Sequence, residues 1–498
     1  MIEHEASRDP VADRPAYVNL ADLLSRQAAT QPDVEAAVQP RPERRSLSWA
    51  ALDEQVTAVA RGLVGRGLVA GHRIGLVGAN SLEFVIGYLA ALRAGLVAVP
   101  VDPDLEATER NAALRHCGVA VVLAANGLDD LDGPTIPLTV AGLSTLAGSG
   151  SEPVIAPRDP EALSALVYTA GSTGDPKAVM LSHRALIAHA EHTYALDFVG
   201  PQTTVLGLLP FFGVFGLNAV LGGWLRSGAR LVVLDGFDGF FDVVHREEVT
   251  NLPVAPAVLY RIRQDGRAAT HLTSVITVVC GGAALPEALR DEFAALTRLR
   301  VDLGYGLTEA AAGVSTTVGG PLLGHGHVGR PLPGVEVRIN NGEDGEPGEI
   351  AIRGANLFSG YWPDGSGGPD PDGWFATGDI GYLRDGELFL VDRALELISV
   401  NGFPVYPAEV EDAILELPGV ESVAVLGRPD PRTGSSQVVA FVTGPSLTRE
   451  AVAAHCANRL AKFKRPTTIA VVDALPRGTT GQVQKGRLRG TLATEDAP

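Results

Sequence analysis

The run Leu163-Ser-Ala-Leu-Val-Tyr-Thr-Ala-Gly-Ser-Thr-Gly-Asp-Pro-Lys177 constrains this chain more than any other stretch. Leu163 to Tyr168 is apolar enough for a buried strand, and it breaks at once into glycines and hydroxyls. Gly171 and Gly174 let the backbone adopt conformations closed to other residues and come close to a ligand. Thr169, Ser172 and Thr173 add hydroxyls, and Lys177 adds a cation. Backbone N–H groups, hydroxyls and one ammonium are what an oligophosphate needs. A Walker-type phosphate loop requires Gly-Lys followed directly by Ser or Thr. Here Pro176 precedes Lys177 and Ala178 follows it, so this is not that motif. Taken alone, the stretch also fits a surface loop rich in glycine and serine.

The residues around it set the fold class. Ser48 opens a helical pattern with Leu52, Val56, Val59 and Leu63 on one face, ending near Gly67. Arg73 to Gly78 reads as a buried strand, Ser81 to Arg93 as a helix stopped at Gly95, and Leu96 to Val101 as the next strand. A further helix precedes the strand Val119 to Leu123. The alternation predicts an α/β fold of parallel-rich sheets with crossover helices. Such sheets bind ligands at the carboxyl ends of their strands, where the loop after Tyr168 lies.

At 498 residues and 46% hydrophobic, the chain predicts more than one domain. From Ala394 onward it has 11 acidic and 11 basic side chains, so the first 393 residues carry 47 acids and 29 bases, the whole net charge of −18. This asymmetry predicts a large domain over 1–393 and a small one over 394–498. The acidic excess excludes non-specific nucleic-acid binding. Cys117, Cys280 and Cys456 lack metal-site spacing and suit a reducing compartment. Met1 to Tyr17 is polar and acidic, unlike a signal peptide, so the expected location is cytoplasmic. Phe198 to Leu225 carries no charge and has the length of a membrane span, but Pro210 and six glycines interrupt it. The expectation is a soluble chain with no membrane partner.

Other stretches follow in a fixed order. They are Leu208-Leu-Pro-Phe-Phe-Gly-Val-Phe-Gly-Leu217, Cys280-Gly-Gly-Ala-Ala284, Asp302-Leu-Gly-Tyr-Gly-Leu-Thr-Glu309 and Gly373-Trp-Phe-Ala-Thr-Gly-Asp379 with Asp392-Arg393. Ala394 to Glu411 and Leu475 to Lys485 complete the series. With the loop at 169–177, this order resembles the adenylate-forming superfamily of acyl-CoA synthetases, peptide-synthetase adenylation domains and luciferases. The likeness runs from residue 20 to residue 490.

The resemblance implies a small, mobile α+β C-terminal domain hinged at Leu395, and a site for ATP and Mg2+. Thr169, Gly171, Ser172, Thr173, Gly174 and Lys177 would hold phosphates. Gly281, Gly282 and Ala283 would lie against adenine, with Tyr305 stacked on it beside Gly306. Thr308 would meet the α-phosphate, Glu309 would hold the metal, Asp379 would accept from the ribose hydroxyls, and Arg393 would add a ribose or phosphate contact. Phe211, Phe212, Gly213 and Gly304 would line the acyl pocket, with Val254 to Ala257 at its other edge. Gly402 would line a tunnel for the pantetheine of coenzyme A. The residues agree with these roles, since a carboxylate beside a phosphate loop makes sense with a cation between them. Plainer readings remain: a helix start packed into the core for 208–217, a turn for Thr377-Gly-Asp379, and a solvated face for the basic residues from Lys462 to Arg489.

Four positions depart from the family pattern. Gly213 stands in place of a usual histidine, Leu303 in place of Asn or Gln, and Leu395 in place of a charged pivot. Gln482 stands where relatives carry the lysine that bridges carboxylate and phosphate. A glutamine donates hydrogen bonds but cannot neutralise charge, which predicts adenylation slowed by roughly 10²–10³-fold unless another group, such as Lys485, replaces it. An engineered trapping variant would carry the same change. Tyr361 to Asp372, rich in glycine, proline and aspartate, predicts a mobile surface loop. The function implied is an ATP-dependent ligase that adenylates a small carboxylic acid or other oxyanion and releases pyrophosphate. Transfer to a thiol of coenzyme A, or of an acyl or peptidyl carrier protein, would follow. The other reading is a degenerate member that binds ATP or acyl-adenylate without turnover.

Overall fold

The computed structural model describes residues 18–148, 150, 154, 159–169, 177–340, 345–393, 398–400, 403–429, 436–477, 483–485, 487 and 488. The strand–helix alternation builds a six-stranded sheet in the order Thr135–Pro137, Val119–Ala124, Arg73–Val77, Val97–Val101, Leu163–Tyr168, Ala178–Ser182. All neighbours are parallel except the last pair, which returns antiparallel. Ser48 caps helix Trp49–Gly65 by accepting from the Ala51 amide at 3.2 Å, and Ser81 caps Leu82–Arg93 from Phe84 at 3.1 Å. Gly95, at φ +72°, ends that second helix where only a residue free of Cβ strain sits easily.

The second sheet has 13 strands. From Glu35–Gln39 through Arg230–Val233, Thr204–Gly207, Asn251–Val254 and Thr277–Cys280 to Val301–Leu307, neighbours are parallel. Beyond Leu307 every pairing is antiparallel, through Ala312–Thr316, His327–Pro331, Glu387–Arg393, Phe375–Arg384, Gly348–Gly354 and Val335–Asn340. Parallel pairing needs a long crossover, and only turns and loops join these later strands. The two sheets share one core. Trp49 and Trp224 stack with centroids 5.0 Å apart, and the Trp224 indole donates to the Ala36 carbonyl at 3.0 Å.

Residues 198–225 resolve into strand Thr204–Gly207, a π-helix Phe215–Val220 and the start of helix Leu221–Ser227. Among the described residues no helix is long and apolar enough to cross a membrane. After Ile398 a small α+β unit forms. Strands Ser422–Pro429 and Ser436–Thr443 pair antiparallel, and Thr468–Val471 lies parallel to the second. Helices Pro407–Leu415 and Arg449–Arg459 cover them through Val410, Ile414, Val452 and Cys456. The expected pivot, Leu395, and Gly402 lie outside the described residues.

Helix His183–Tyr194 buries two imidazoles. His183 Nδ1 accepts from the Leu20 amide at 3.2 Å, and burial pulls its pKa down to about 4. His189 is fully buried, and burial, then the nearby His192, pull it down to about 3. Because both are harder to protonate when folded, the unfolded chain binds more protons below about pH 6.5. Their stability is present above that pH and is lost as pH falls, at up to about 1.4 kcal/mol per pH unit for each group. Urea unfolding should therefore show a midpoint that declines from pH 6.5 towards pH 4, and more shallowly in His189→Asn.

Candidate active site

The signature loop is the reversal of a β-hairpin. Leu163–Tyr168 and Ala178–Ser182 pair from Leu163↔Ser182 to Tyr168↔Ala178, and the Thr169 amide donates to the Lys177 carbonyl at 3.0 Å. Thr169 and Lys177 are thus the feet of the loop; Gly171, Ser172, Thr173 and Gly174 lie outside the described residues. The Tyr168 hydroxyl donates to the Ala113 carbonyl at 3.0 Å and sits 2.8 Å from His116 Nδ1, which ties one foot to helix Ala107–His116.

The strand Val301–Leu307 runs into a single 3₁₀ turn, Thr308–Ala310. Tyr305 is 8% exposed, and its hydroxyl donates to Asp379 Oδ2 at 2.6 Å, joining two of the predicted motifs. Asp379 is also the register partner of Arg393. After Glu309 the chain reverses through Ala311 at φ +54° and Ala312 at φ +131°, both unfavourable for alanine. Two fully buried asparagines hold this turn: Asn218 donates to the Ala311 carbonyl at 2.8 Å and Asn356 to the Ala310 carbonyl at 2.9 Å. Neither is visible in the sequence, because an isolated asparagine has no signature until its partner is known. Gly306 is obligatory here, since a Cβ would overlap the Ala312 carbonyl oxygen.

Strand Thr277–Cys280 delivers Gly281 and Gly282 to the same end of the sheet, with the partly buried Ala283 next to them. A Cβ on Gly281 would stand 3.0 Å from the Gly304 carbonyl oxygen and 3.1 Å from the Phe215 ring. The stretches 280–284 and 208–217 therefore touch. Asn80 fixes the latter, donating to the Leu209 carbonyl and accepting from the Phe211 amide, both at 2.9 Å. Phe211 itself corrects the sequence expectation. It is fully buried, with its centroid 5.9 Å from that of Phe84, so its ring belongs to the core. Phe212 and Phe215 are partly buried, and a Cβ at Gly213 would meet only the Pro210 carbonyl oxygen at 3.7 Å.

Lys177 and Glu309 converge on Tyr361. The tyrosine hydroxyl donates to Glu309 Oε1 at 2.7 Å, and Lys177 Nζ lies 4.7 Å from the ring centre. Burial, then the Glu309 charge, raises the phenol above its ordinary pKa, so it remains a donor at neutral pH. Tyr361 and Trp362 also correct an expectation. Instead of opening a loose loop, they belong to a seam along the hairpin. Ser359 donates to the Met180 carbonyl, Met180 to Gly360, and Trp362 to Ala178, at 2.9–3.0 Å. Glycine and proline nearby signal turns, and cross-chain pairing leaves no local sign.

Gln482 lies outside the described residues. Lys485, three residues on, is engaged by Glu411 at 2.9 Å. Lys464 likewise meets Glu409 at 2.7 Å, and Arg465 donates to the Leu460 and Ala457 carbonyls. Among the described residues no group of three or more His, Cys, Asp or Glu side chains forms a metal cage. The single carboxylate of Glu309 fits magnesium, which takes few protein ligands and completes its shell with phosphate oxygens.

Residues 24–362 match the model of the AMP-binding enzymes, and residues 409–482 that of the AMP-binding enzyme C-terminal domain. The chain belongs to the AMP-binding enzyme family. Long-chain-fatty-acid–CoA ligase FadD13 of Mycobacterium tuberculosis is 30% identical over 497 residues, covering 95% of this chain and 98% of its own. Feruloyl-CoA synthase of an Amycolatopsis species is 32% identical over 476 residues, covering 89% and 94%. ATP-bound MatB from Rhodopseudomonas palustris has a TM-score of 0.87 at 28% identity, covering 95% of this chain and 99% of that one. This AMP-binding enzyme is by class an ATP-dependent, adenylate-forming ligase.

Gly306→Ala should force the Ala312 carbonyl aside and displace Tyr305 and Thr308 together. Expected outcomes are a melting temperature lower by a few degrees and ATP affinity weakened about tenfold, the usual scale of an overpacking cost. Thermal unfolding and ATP titration check both.

Proposed function

We propose that this AMP-binding enzyme adenylates a carboxylic acid with release of pyrophosphate and then passes the acyl group to the thiol of coenzyme A. The observation that carries this reading is the meeting of Lys177 and Glu309, far apart in sequence, at the ring face and the hydroxyl of one tyrosine. Lys177 and the loop from Thr169 would hold phosphates, with Thr308 on the α-phosphate. Tyr305 and the small residues Gly281, Gly282 and Ala283 would enclose adenine, and Asp379 with Arg393 would take the ribose. Glu309 would hold magnesium, which when bound supplies positive charge to the phosphate oxygens. A carboxylate oxygen of the acid attacks the α-phosphorus while the bond to the pyrophosphate oxygen breaks. The thiolate sulfur then attacks the acyl carbon and AMP leaves.

The large domain would end at Arg393 and the small one pivot at Leu395. Gln482 would contribute hydrogen bonds without charge. An apolar acid suits the stretch best, because Phe212 and Phe215 are apolar and Gly213 leaves open space. The ligases for fatty and hydroxycinnamic acids among its relatives agree with that choice. Those relatives are CoA enzymes, which favours coenzyme A over a carrier protein as acceptor and gives no support to binding without turnover. Three buried free thiols, Cys117, Cys280 and Cys456, suit a reducing, cytoplasmic setting.

The test is magnesium-dependent pyrophosphate release across fatty, aromatic and amino acids, with nitrite as a small oxyanion. Release with an apolar acid is expected, faster by roughly 10²–10³-fold in Gln482→Lys and slower by a similar factor in Glu309→Gln. Silence from the chain and from Gln482→Lys over the whole panel would overturn the proposal.

A further inference from the structure

Opposite charges that serve one triphosphate face a difficulty before it arrives, because they attract each other. Tyr361 gives each of them a different partner. Its ring face lies under the Lys177 ammonium at 4.7 Å, within the range of a cation–π contact. Its hydroxyl holds the Glu309 carboxylate at 2.7 Å through a charge-assisted hydrogen bond. The same segment also grips the main chain of Glu309, where the Phe358 amide donates to the carbonyl at 2.9 Å. On its other side Trp362 donates from Nε1 to the His116 carbonyl at 3.0 Å, and the Arg73 guanidinium lies 5.4 Å from its ring centre. The tyrosine is thus fixed to the hairpin by its backbone and to the 3₁₀ turn by its side chain. Its backbone cannot move away without opening the seam.

We propose that Tyr361 is a positioning residue that keeps the Lys177 ammonium and the Glu309 carboxylate in separate, fixed places, ready for phosphate and magnesium respectively. The role rests on the ATP reading of this site. Tyr361 is not a catalytic residue, since it acts through Lys177 and Glu309.

The test uses the full chain and two variants that separate the contacts. Calorimetric ATP titration with and without magnesium is combined with pyrophosphate-release kinetics. Tyr361→Phe keeps the ring and loses the hydroxyl. ATP affinity without magnesium should stay within about twofold, while the magnesium needed for half-maximal stimulation rises about tenfold, the scale of one hydrogen bond to a charged group. Its kcat should fall with the KM for the acid unchanged. Tyr361→Leu loses both contacts, so ATP affinity without magnesium should also fall, by about threefold or more. Trp362→Phe, which loses only the anchor to His116, should lower the melting temperature and leave the magnesium requirement as it was. An unchanged requirement in Tyr361→Phe, with melting temperature alone affected, would overturn the positioning role while leaving the ATP reading intact. Absence of magnesium-dependent ATP binding by the unsubstituted chain would overturn both.

Discussion

The site proposed for a magnesium-bound triphosphate must hold a cation and a carboxylate close together without letting them cancel. In this chain the aromatic side chain of Tyr361 meets that constraint, with Lys177 on its face and Glu309 at its hydroxyl. Much of the neighbouring architecture serves to keep the three in place. The antiparallel return of Ala178–Ser182 sets Lys177 at a foot of the hairpin, and the segment 359–362 runs along that return strand. One hydrogen-bonded seam thereby couples the first sheet to the turn that ends a strand of the second.

That turn carries the least comfortable backbone in the site. Ala311 and Ala312 have positive φ, and the turn is held there by Asn356 and Asn218, which donate to the Ala310 and Ala311 carbonyls inside the core. Buried amide donors are costly to leave unpaired, so these asparagines and the turn stabilise each other. Asn218 stands in the π-helix Phe215–Val220, which begins within the phenylalanine-rich stretch. The π-helix and the turn after Glu309 are therefore joined directly through Asn218.

Much of this was legible from residues alone, and the limits were systematic. The helix caps at Ser48 and Ser81 were readable because a hydroxyl and the first free amides lie within one turn of each other. The strand into Tyr168 was readable from its uninterrupted apolar run. Phe211 was misplaced, because aromatic spacing does not say whether a ring faces a pocket or another sheet. Glycine and proline around Tyr361 read as a loose loop, whereas cross-chain hydrogen bonds stitch its first residues to the hairpin.

The sequence by itself determined the class of chemistry. Glycines, hydroxyls and one lysine after a buried strand, then an aromatic, a threonine and a glutamate after another, are backbone and side-chain requirements that act within a few residues. Only the tertiary structure decided which of these groups meet. The Tyr305–Asp379 bond, the Lys177–Tyr361–Glu309 contact and the two asparagine clamps each join residues separated by 46 positions or more. Such contacts depend on how two sheets pack against one core, and hydrophobic periodicity reports only that a face is buried, not what it is buried against.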